Sequence, residues 1–323
     1  MTAIFNKIKP LLPSFVINLV EHAPMLNIII SGKNLTTSEM PGLFTFVLLQ
    51  YNRAKLTIEC IKNILLIEET IPVRIIVVDN GSTDGASSSI NQFCASLPSV
   101  TVLETKENLG FARGNNFGYQ YAREQNPNQL ICVMNNDVVV IDTDFVQKIV
   151  RLYKNNLFSI LGPDIIVPGK NTLHQNPFRY HLQSRDDKLD FIKNAEEKTL
   201  RIKNKSQVME TPSPNGRRIK DPYRRTGQIV LHGSVLIFSP LFISSFEEPF
   251  DSKTFLYGEE DILALRAIAA HQKIMYEPSL KVFHYTKSST KKNDLERYYL
   301  FRYATSIKSA KRYNEILDEI SKH

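Results

Sequence analysis

Apolar residues in this chain fall in blocks, and the blocks alternate with segments of helical spacing. Phe44-Thr45-Phe46-Val47-Leu48-Leu49, Ile75-Ile76-Val77-Val78-Asp79 and Leu130-Ile131-Cys132-Val133-Met134 are nearly unbroken apolar runs. Runs without strict alternation suit strands buried on both faces, as in a parallel sheet covered by helices. Between them Leu56, Cys60, Ile64 and either Leu65 or Ile67 share one face of a helix predicted over 54–69. The segments 87–96, 114–124 and 144–155 also read as helices, and 100–103 as a strand. The alternation over 44–155 predicts an α/β fold with a doubly wound, mostly parallel sheet.

After residue 155 the pattern weakens. Residues 170–226 are polar, basic and proline-containing, and predict a long, partly mobile excursion. Order resumes with an apolar strand over 229–238 that contains Gly233. A helix over 262–271, short strands at 274–276 and 280–284, and a basic helix over 293–320 follow. The organisation is therefore an irregular lead-in (1–43), a main domain (44–290) with halves 44–155 and 156–290, and a helical tail (291–323).

Composition narrows the class. At 323 residues, 42% hydrophobic and 23% charged, the chain reads as an ordinary globular protein. Cys60, Cys94 and Cys132 are far apart and odd in number, which predicts reduced thiols in a cytoplasmic setting. Residues 11–20 form the most apolar N-terminal stretch, but Pro13 and Asn18 interrupt it and it is too short to span a membrane. The net charge of +7 is uneven. Residues 181–225 carry 12 Lys+Arg against 7 Asp+Glu, and residues 287–323 carry 9 against 5. That basic surface suits an anionic partner such as a diphosphate or acidic lipid headgroups; solvated loop charge is the plain alternative. No aromatic-interleaved RNA motif occurs, so no nucleic-acid partner is expected.

Candidate chemistry sits where the apolar runs end. In open α/β sheets ligands bind at the carboxyl ends of the strands. Asp79 there precedes Asn80-Gly81-Ser82-Thr83-Asp84-Gly85, strong turn chemistry that by itself marks only a loop. Beside the equivalent Gln50-Tyr51-Asn52-Arg53 it could clasp a flat base, Asp79 accepting from a ring N–H. Asn108-Leu109-Gly110-Phe111-Ala112-Arg113-Gly114-Asn115 allows close backbone approach and offers a guanidinium to phosphate, or is simply a helix start. Asp137, after Asn135-Asn136, is either a turn cap or a ligand for Mg²⁺ or Mn²⁺ bound with a diphosphate. Glu259-Glu260-Asp261 suits a first helical turn on dipole grounds alone; three adjacent carboxylates also tend to raise one pKa, as a general base needs. His284 follows a short apolar strand and is either structural or a neutral nitrogen ligand beside Asp137; His232 is similar.

In this order and spacing the motifs resemble those of the family 2 glycosyltransferases, particularly the bacterial rhamnosyltransferase-like branch. The likeness runs through Gln50–Arg53, Asp79–Gly85, Asn108–Asn115, Asn135-Asn136-Asp137, His232-Gly233-Ser234, Tyr257–Asp261 and Val282-Phe283-His284, spanning 44–290. It implies a GT-A type, Rossmann-like sheet with a nucleotide-sugar half (44–155), an acceptor-side, catalytic half (156–290) and C-terminal helices. It further implies that Asp79 and Asn80 meet the donor base and that Asn135-x-Asp137 meets metal and diphosphate. Glu260 would be the base that deprotonates an acceptor hydroxyl, with Asp261 and Glu259 beside it, and the anomeric centre would be inverted. Two departures stand out: Asn135 replaces the first metal-motif acid, and Glu260 occupies the place of the usual catalytic Asp. The expected donors are dTDP-rhamnose or a UDP-hexose, with UDP-galactofuranose open. The expected acceptor is a glycan or lipid-linked hydroxyl in surface polysaccharide synthesis.

Two other classes compete. A nucleotidyltransferase would carry a Gly-rich, basic signature after the first strand, where this chain has Gln50-Tyr51-Asn52-Arg53. A degenerate, non-catalytic nucleotide-sugar or carbohydrate binder would hold donor without turnover. The tail aromatics Tyr298, Tyr299, Phe301 and Tyr303 are expected to pack on the catalytic domain, with peripheral contact to an anionic inner membrane face as the alternative.

Overall fold

The computed structural model describes residues 40–67, 71–169, 171–205, 216–217, 220–286 and 295–322. The stretch 11–20 and most of the lead-in lie outside the described residues. The elements run β1 (Phe44–Gln50), α1 (Ala54–Ile64), β2 (Val73–Asp79), α2 (Ala86–Cys94), β3 (Val100–Glu104), α3 (Gly110–Gln125), β4 (Leu130–Asn135), β5 (Val138–Val140), α4 (Phe145–Asn156) and β6 (Ile160–Val167). They continue with β7 (Leu173–His174), α5 (Arg185–Lys203), β8 (Arg225–Thr226), β9 (Val235–Phe238), α6 (Pro240–Ser245), α7 (Glu259–Ala269), β10 (Ile274–His284) and α8 (Leu295–Ile320).

One sheet carries the fold, in the order β3-β2-β1-β4-β9-β6-β10-β5. β3, β2, β1 and β4 are mutually parallel, β9 is antiparallel to both β4 and β6, and β10 runs parallel to β6. The unbroken apolar runs are explained by two cores. Phe46, Leu48, Ile75, Val77, Cys132 and Met134 pack on one face against Cys60, Ile61, Ile90 and Ile149 of α1, α2 and α4. Val47, Ile76, Val78, Ile131 and Val133 pack on the other against Ala112, Tyr119 and Ala122 of α3 and Leu263 and Ala264 of α7. Successive strand residues point to opposite faces, so a sheet covered on both sides needs apolar residues at every position. The three cysteines are free and buried.

The second half departs from expectation in several places. β6 forms at Ile160–Val167 in a stretch the pattern leaves unassigned. The strand expected over 229–238 is confined to Val235–Phe238, because the chain turns at Gly233-Ser234. The two short strands expected at 274–276 and 280–284 are one strand, β10, whose register shifts against β6 between Glu277 and Lys281. The helix expected from residue 114 starts at Gly110, and the one expected to reach residue 69 stops at Ile64.

The largest correction concerns the polar excursion. Arg185–Lys203 within it is a 19-residue helix, opened by a capping box in which Ser184 and Asp187 satisfy each other's backbone N–H groups. α5 packs on α8, and Arg185 pairs with Asp318 across that contact. The tail therefore belongs to the body: Ile262 and Leu265 of α7 form a small core with Tyr313 and Ile316 of α8. Phe301 meets Phe255 edge-on with ring centroids 6.1 Å apart. Among the described residues no helix is long and apolar enough to cross a membrane.

Candidate functional site

At the carboxyl ends of β1 and β4 lies a groove of about 390 Å³, lined by Leu49, Tyr51, Asn52, Arg53, Leu56, Asn135, Asn136 and Asp137. Its rim is built by hydrogen bonds between neighbouring strand ends. The Asn52 N–H donates to Ser82 Oγ (2.7 Å), the Thr83 N–H to Asn52 Oδ1 (2.9 Å) and the Arg53 N–H to Asp84 Oδ2 (2.9 Å). These bonds hold Asn52 and Arg53 at φ 57° and 58°, a left-handed backbone that side chains other than glycine rarely adopt. Gln50 is fully buried; its Oε1 accepts from Thr57 Oγ1 (2.5 Å) and Asn136 Nδ2 (3.1 Å). Gln50 is therefore part of the frame, and Asn136 is tied to it, while Tyr51 is exposed at the lip.

Asp79 lies at the end of β2, 2% exposed. Its Oδ1 accepts from the Ser82 N–H (2.8 Å), and its Oδ2 is buried without a partner among the described residues. A buried carboxylate oxygen left unsatisfied is costly, and a ligand N–H would relieve it. Asn80 instead serves the fold: it donates to Asn108 Oδ1 and the Gly110 carbonyl (both 3.1 Å) and accepts from the Leu109 N–H (2.9 Å). The stretch 108–118 is thus largely the start of α3. Gly114 and Gly118 approach the sheet rather than open space; a Cβ on Gly114 would lie 2.6 Å from Leu49 Cδ1 and one on Gly118 2.5 Å from Val47 Cγ1, while Gly110 packs against Phe255. Asn115 is buried, donating to the Phe111 carbonyl (2.9 Å), and Arg113 is exposed on α3. Asn108, Arg113 and Asn115 line neither the groove nor the cavity described next.

The sheet topology brings His284 to Asp137 across 147 positions of sequence. β5 follows Asp137 directly and pairs antiparallel with the end of β10, His284 opposite Val138. His284 Nε2 lies 3.2 Å from Asp137 Oδ1, and Nδ1 lies 2.7 Å from Gln175 Oε1. His232 is stacked edge-on near His284, ring centroids 6.0 Å apart. Burial, helped by His284, pushes the His232 imidazole down to about 3, so it is neutral and accepts from the Ser234 N–H at Nδ1. No group of three His, Cys, Asp or Glu able to hold a metal occurs among the described residues. Asp137 and His284 do suit a divalent cation held jointly with a substrate. One carboxylate and one imidazole leave most of the coordination sphere to phosphate oxygens and water.

A second depression of about 440 Å³ adjoins the groove, and Asn135 lines both. Its walls come from α5, α7, α8 and the His232-Gly233-Ser234 turn. The acidic cluster opens α7 after Tyr257 and Gly258, both at positive φ (70° and 93°). Successive helical residues point about 100° apart, so three adjacent acids meet three surroundings. Glu259 is 3% exposed with Oε1 unpartnered among the described residues; burial, then the charge of Glu260, pushes its carboxyl up to about 8. Glu260 is partly exposed to the cavity and accepts the Gly233 N–H at 3.2 Å; burial raises its carboxyl above the usual range. Gly233 permits this approach, since a Cβ there would lie 3.0 Å from Glu260 Oε1. Asp261 is committed to two cations, Arg179 Nε (2.9 Å) and Lys188 Nζ (2.7 Å). Lys188 is itself buried, lies over the Tyr313 ring (4.6 Å) and donates to Gln183 Oε1 (2.8 Å).

Gln175, Arg179, Lys188 and Arg302 are site residues that motif reading misses. The one local signal was Ser184-x-x-Asp187, a helix start that would have placed Lys188 on α5.

Comparisons with known proteins agree with this architecture. The family model described as Glycosyl transferase family 2 matches residues 45–216. The low-salt glycan biosynthesis hexosyltransferase Agl10 of Haloferax volcanii is 28% identical over 91 residues, 28% of this chain and 28% of that protein's length. The structure of S. aureus TarS 1–349 in complex with UDP-GlcNAc is similar at a TM-score of 0.50 and 12% identity, over 76% of this chain and 59% of that one. Mannosyltransferase PcManGT from Pyrobaculum calidifontis, in complex with GDP-Man and Mn²⁺, gives 0.48 and 15%, over 93% and 80%. The family match covers more than half of the chain and all the elements that build the groove: the protein belongs to glycosyl transferase family 2, with a GT-A type fold.

Proposed function

We propose that the protein is an inverting glycosyltransferase that uses a nucleotide-diphosphate sugar, held in the groove, to glycosylate a hydroxyl presented in the cavity. One observation carries this reading: Glu260, a carboxylate with a raised pKa, faces the cavity, and that cavity shares Asn135 with the groove lined by Asp137. Donor binding and base work are thereby separated by location. In this reading the unpartnered Asp79 Oδ2 accepts from the donor base, while Asn52 and Arg53 border the sugar nucleotide. Asp137 Oδ1 and His284 Nε2 would hold Mn²⁺ or Mg²⁺, which would neutralise charge on the diphosphate.

Glu260 takes the proton of the acceptor hydroxyl. The freed oxygen pair bonds to the anomeric carbon while the bond from that carbon to the diphosphate breaks, and the diphosphate leaves with its electron pair. Attack opposite the leaving group inverts the centre. Asp261, held by Arg179 and Lys188, positions α7 and is not free to accept that proton. Glu259, buried and protonated over much of the neutral range, is likewise not the base.

The motif resemblance favours dTDP-rhamnose or a UDP-hexose as donor and a glycan or lipid-linked acceptor of surface polysaccharide. TarS was solved with UDP-GlcNAc, a donor of the same chemical class. Cytoplasmic residence, with any membrane contact peripheral, goes with this reading. The test is transfer from these donors with and without Mn²⁺ or Mg²⁺. Asp137→Ala is expected to lower kcat/KM at least 100-fold and abolish the metal response. Full activity in that variant would remove the metal role, and release of pyrophosphate in place of nucleoside diphosphate would replace the reading by nucleotidyl transfer.

A further inference from the structure

A third cavity, of about 360 Å³, adjoins the catalytic one and shares Phe178, Arg179 and Arg302 with it. Arg217 and His174 complete its polar wall, so three guanidinium groups and an imidazole line one small space. The guanidinium charge is poorly compensated. Arg179 reaches Asp261 through Nε, whereas Arg217 and Arg302 form no salt bridge among the described residues. The guanidinium of Arg217 lies over the Tyr180 ring at 4.0 Å and that of Arg302 over Tyr257 at 5.3 Å. A guanidinium stacked on an aromatic face keeps its N–H edges for other partners; Arg302 gives one, Nη1, to Tyr298 Oη at 3.3 Å, and its remaining N–H groups are left for a ligand. Arg217 Nη1 is buried with no acceptor among the described residues.

The nearby carboxylates are engaged elsewhere. Asp221 is bonded by Arg225 and Tyr180, and fully buried Asp164 lies behind the wall, holding His174 Nδ1 at 2.8 Å and 3.7 Å from Lys220; it compensates the imidazole and leaves the guanidinium groups to another partner. The cavity is also built, not incidental. His174 and Arg217 exchange two backbone hydrogen bonds, 2.6 and 2.7 Å, and Gly216 lets Arg217 approach β7. Gln175 in its wall holds His284, which touches Asp137, so the cavity stands one side chain from the proposed metal–diphosphate end.

We infer that this cavity is a phosphate subsite on the acceptor side: the acceptor carries a mono- or diphosphate group that Arg217, Arg302 and the free edge of Arg179 bind while its hydroxyl lies before Glu260. The inference rests on the function proposed above and specifies its acceptor as an anionic one. Convergent Arg donors match tetrahedral phosphate oxygens, and uncompensated positive charge in a small cavity favours exactly such a group.

Calorimetric titration of the full chain tests it, with inorganic pyrophosphate and geranyl diphosphate as probes, without divalent metal, and again with saturating UDP. Both probes are expected to bind with or without UDP, and Arg217→Gln/Arg302→Gln to weaken both at least 10-fold while UDP affinity stays within twofold. Arg217→Lys, which keeps the charge, is expected to retain most of the binding, and unchanged thermal melting of the variants shows that folding is not the cause. Tighter binding of geranyl diphosphate assigns a lipid-linked acceptor, and equal binding a soluble phosphorylated one. Undiminished probe binding in the double variant overturns the subsite. So does complete displacement by UDP, which would give the arginines to the donor. Failure of UDP to bind even when Mn²⁺ is added would count against the donor groove instead, and would leave the arginine readout standing.

Discussion

The groove and the cavity meet at Asn135 but are held together by different physics. The groove is the end of a parallel sheet, and its rim is fixed by local hydrogen bonds, all but one of those described between neutral groups: Asn52 with Ser82 and Thr83, Gln50 with Thr57 and Asn136, and the Arg53 N–H to the Asp84 carboxylate. The cavity is walled by helices from distant parts of the chain, and its centre is Asp261 between Arg179 and Lys188. A site that must repeat one geometry for a nucleotide gains from backbone-anchored loops. A site assembled from α5, α7 and α8 needs a long-range fastening, and buried charge supplies one that fails if any member is lost. The difference teaches where each half is vulnerable: the cavity to loss of a charge, the groove to a graded loosening.

The comparison breaks most visibly at Lys188. Lys188→Met leaves Asp261 buried with only Arg179, and is expected to cost about 3 kcal/mol of stability, measured by urea unfolding. Adding Asp261→Asn to it is expected to restore much of that loss, since a buried pair removed together is far less costly than one partner removed alone. On the groove side, Ser82→Ala removes an acceptor for the Asn52 N–H and is expected to cost only about 1 kcal/mol. It should weaken nucleotide binding a few-fold while leaving the cavity intact. If Ser82→Ala proves as damaging as Lys188→Met, the contrast drawn between the two regions fails.

The smallest effect is a pH effect. The Glu259 carboxyl is raised by burial to about 8, so the fold favours its neutral form. That contribution is fully present below the ordinary glutamate range and is lost as pH rises through about 8. Glu259→Gln is therefore expected to flatten the decline of Tm over that window, raising Tm by a few degrees at its alkaline end, with turnover little changed. A Tm profile identical to that of the parent would show that Glu259 is ionised throughout.

Legibility in the sequence follows the same division. The parallel half of the sheet and Asp79 and Asp137 at its strand ends are readable because local apolar runs and turn residues specify them. β10 was read as two pieces because Glu277-Pro278-Ser279 resembles a break, where the strand only shifts register. α5 was not readable because few of its residues are buried and its apolar positions do not form a clear stripe. Lys188 and Arg179 look like solvated charges until Asp261 is known to lie beside them. The three acids of α7 are visible as a cluster and all line the cavity, but which one stays partly exposed there depends on helical phase and on a glycine 27 residues upstream.

The central claim is that Glu260 does the proton work and the groove does the binding. Its most direct test is Glu260→Gln, assayed for transfer and for nucleoside-diphosphate affinity in the same preparation. The expected result is a fall in kcat of about 10²–10⁴-fold with affinity unchanged within twofold. Retention of kcat in Glu260→Gln, or loss of affinity in step with it, would contradict the account.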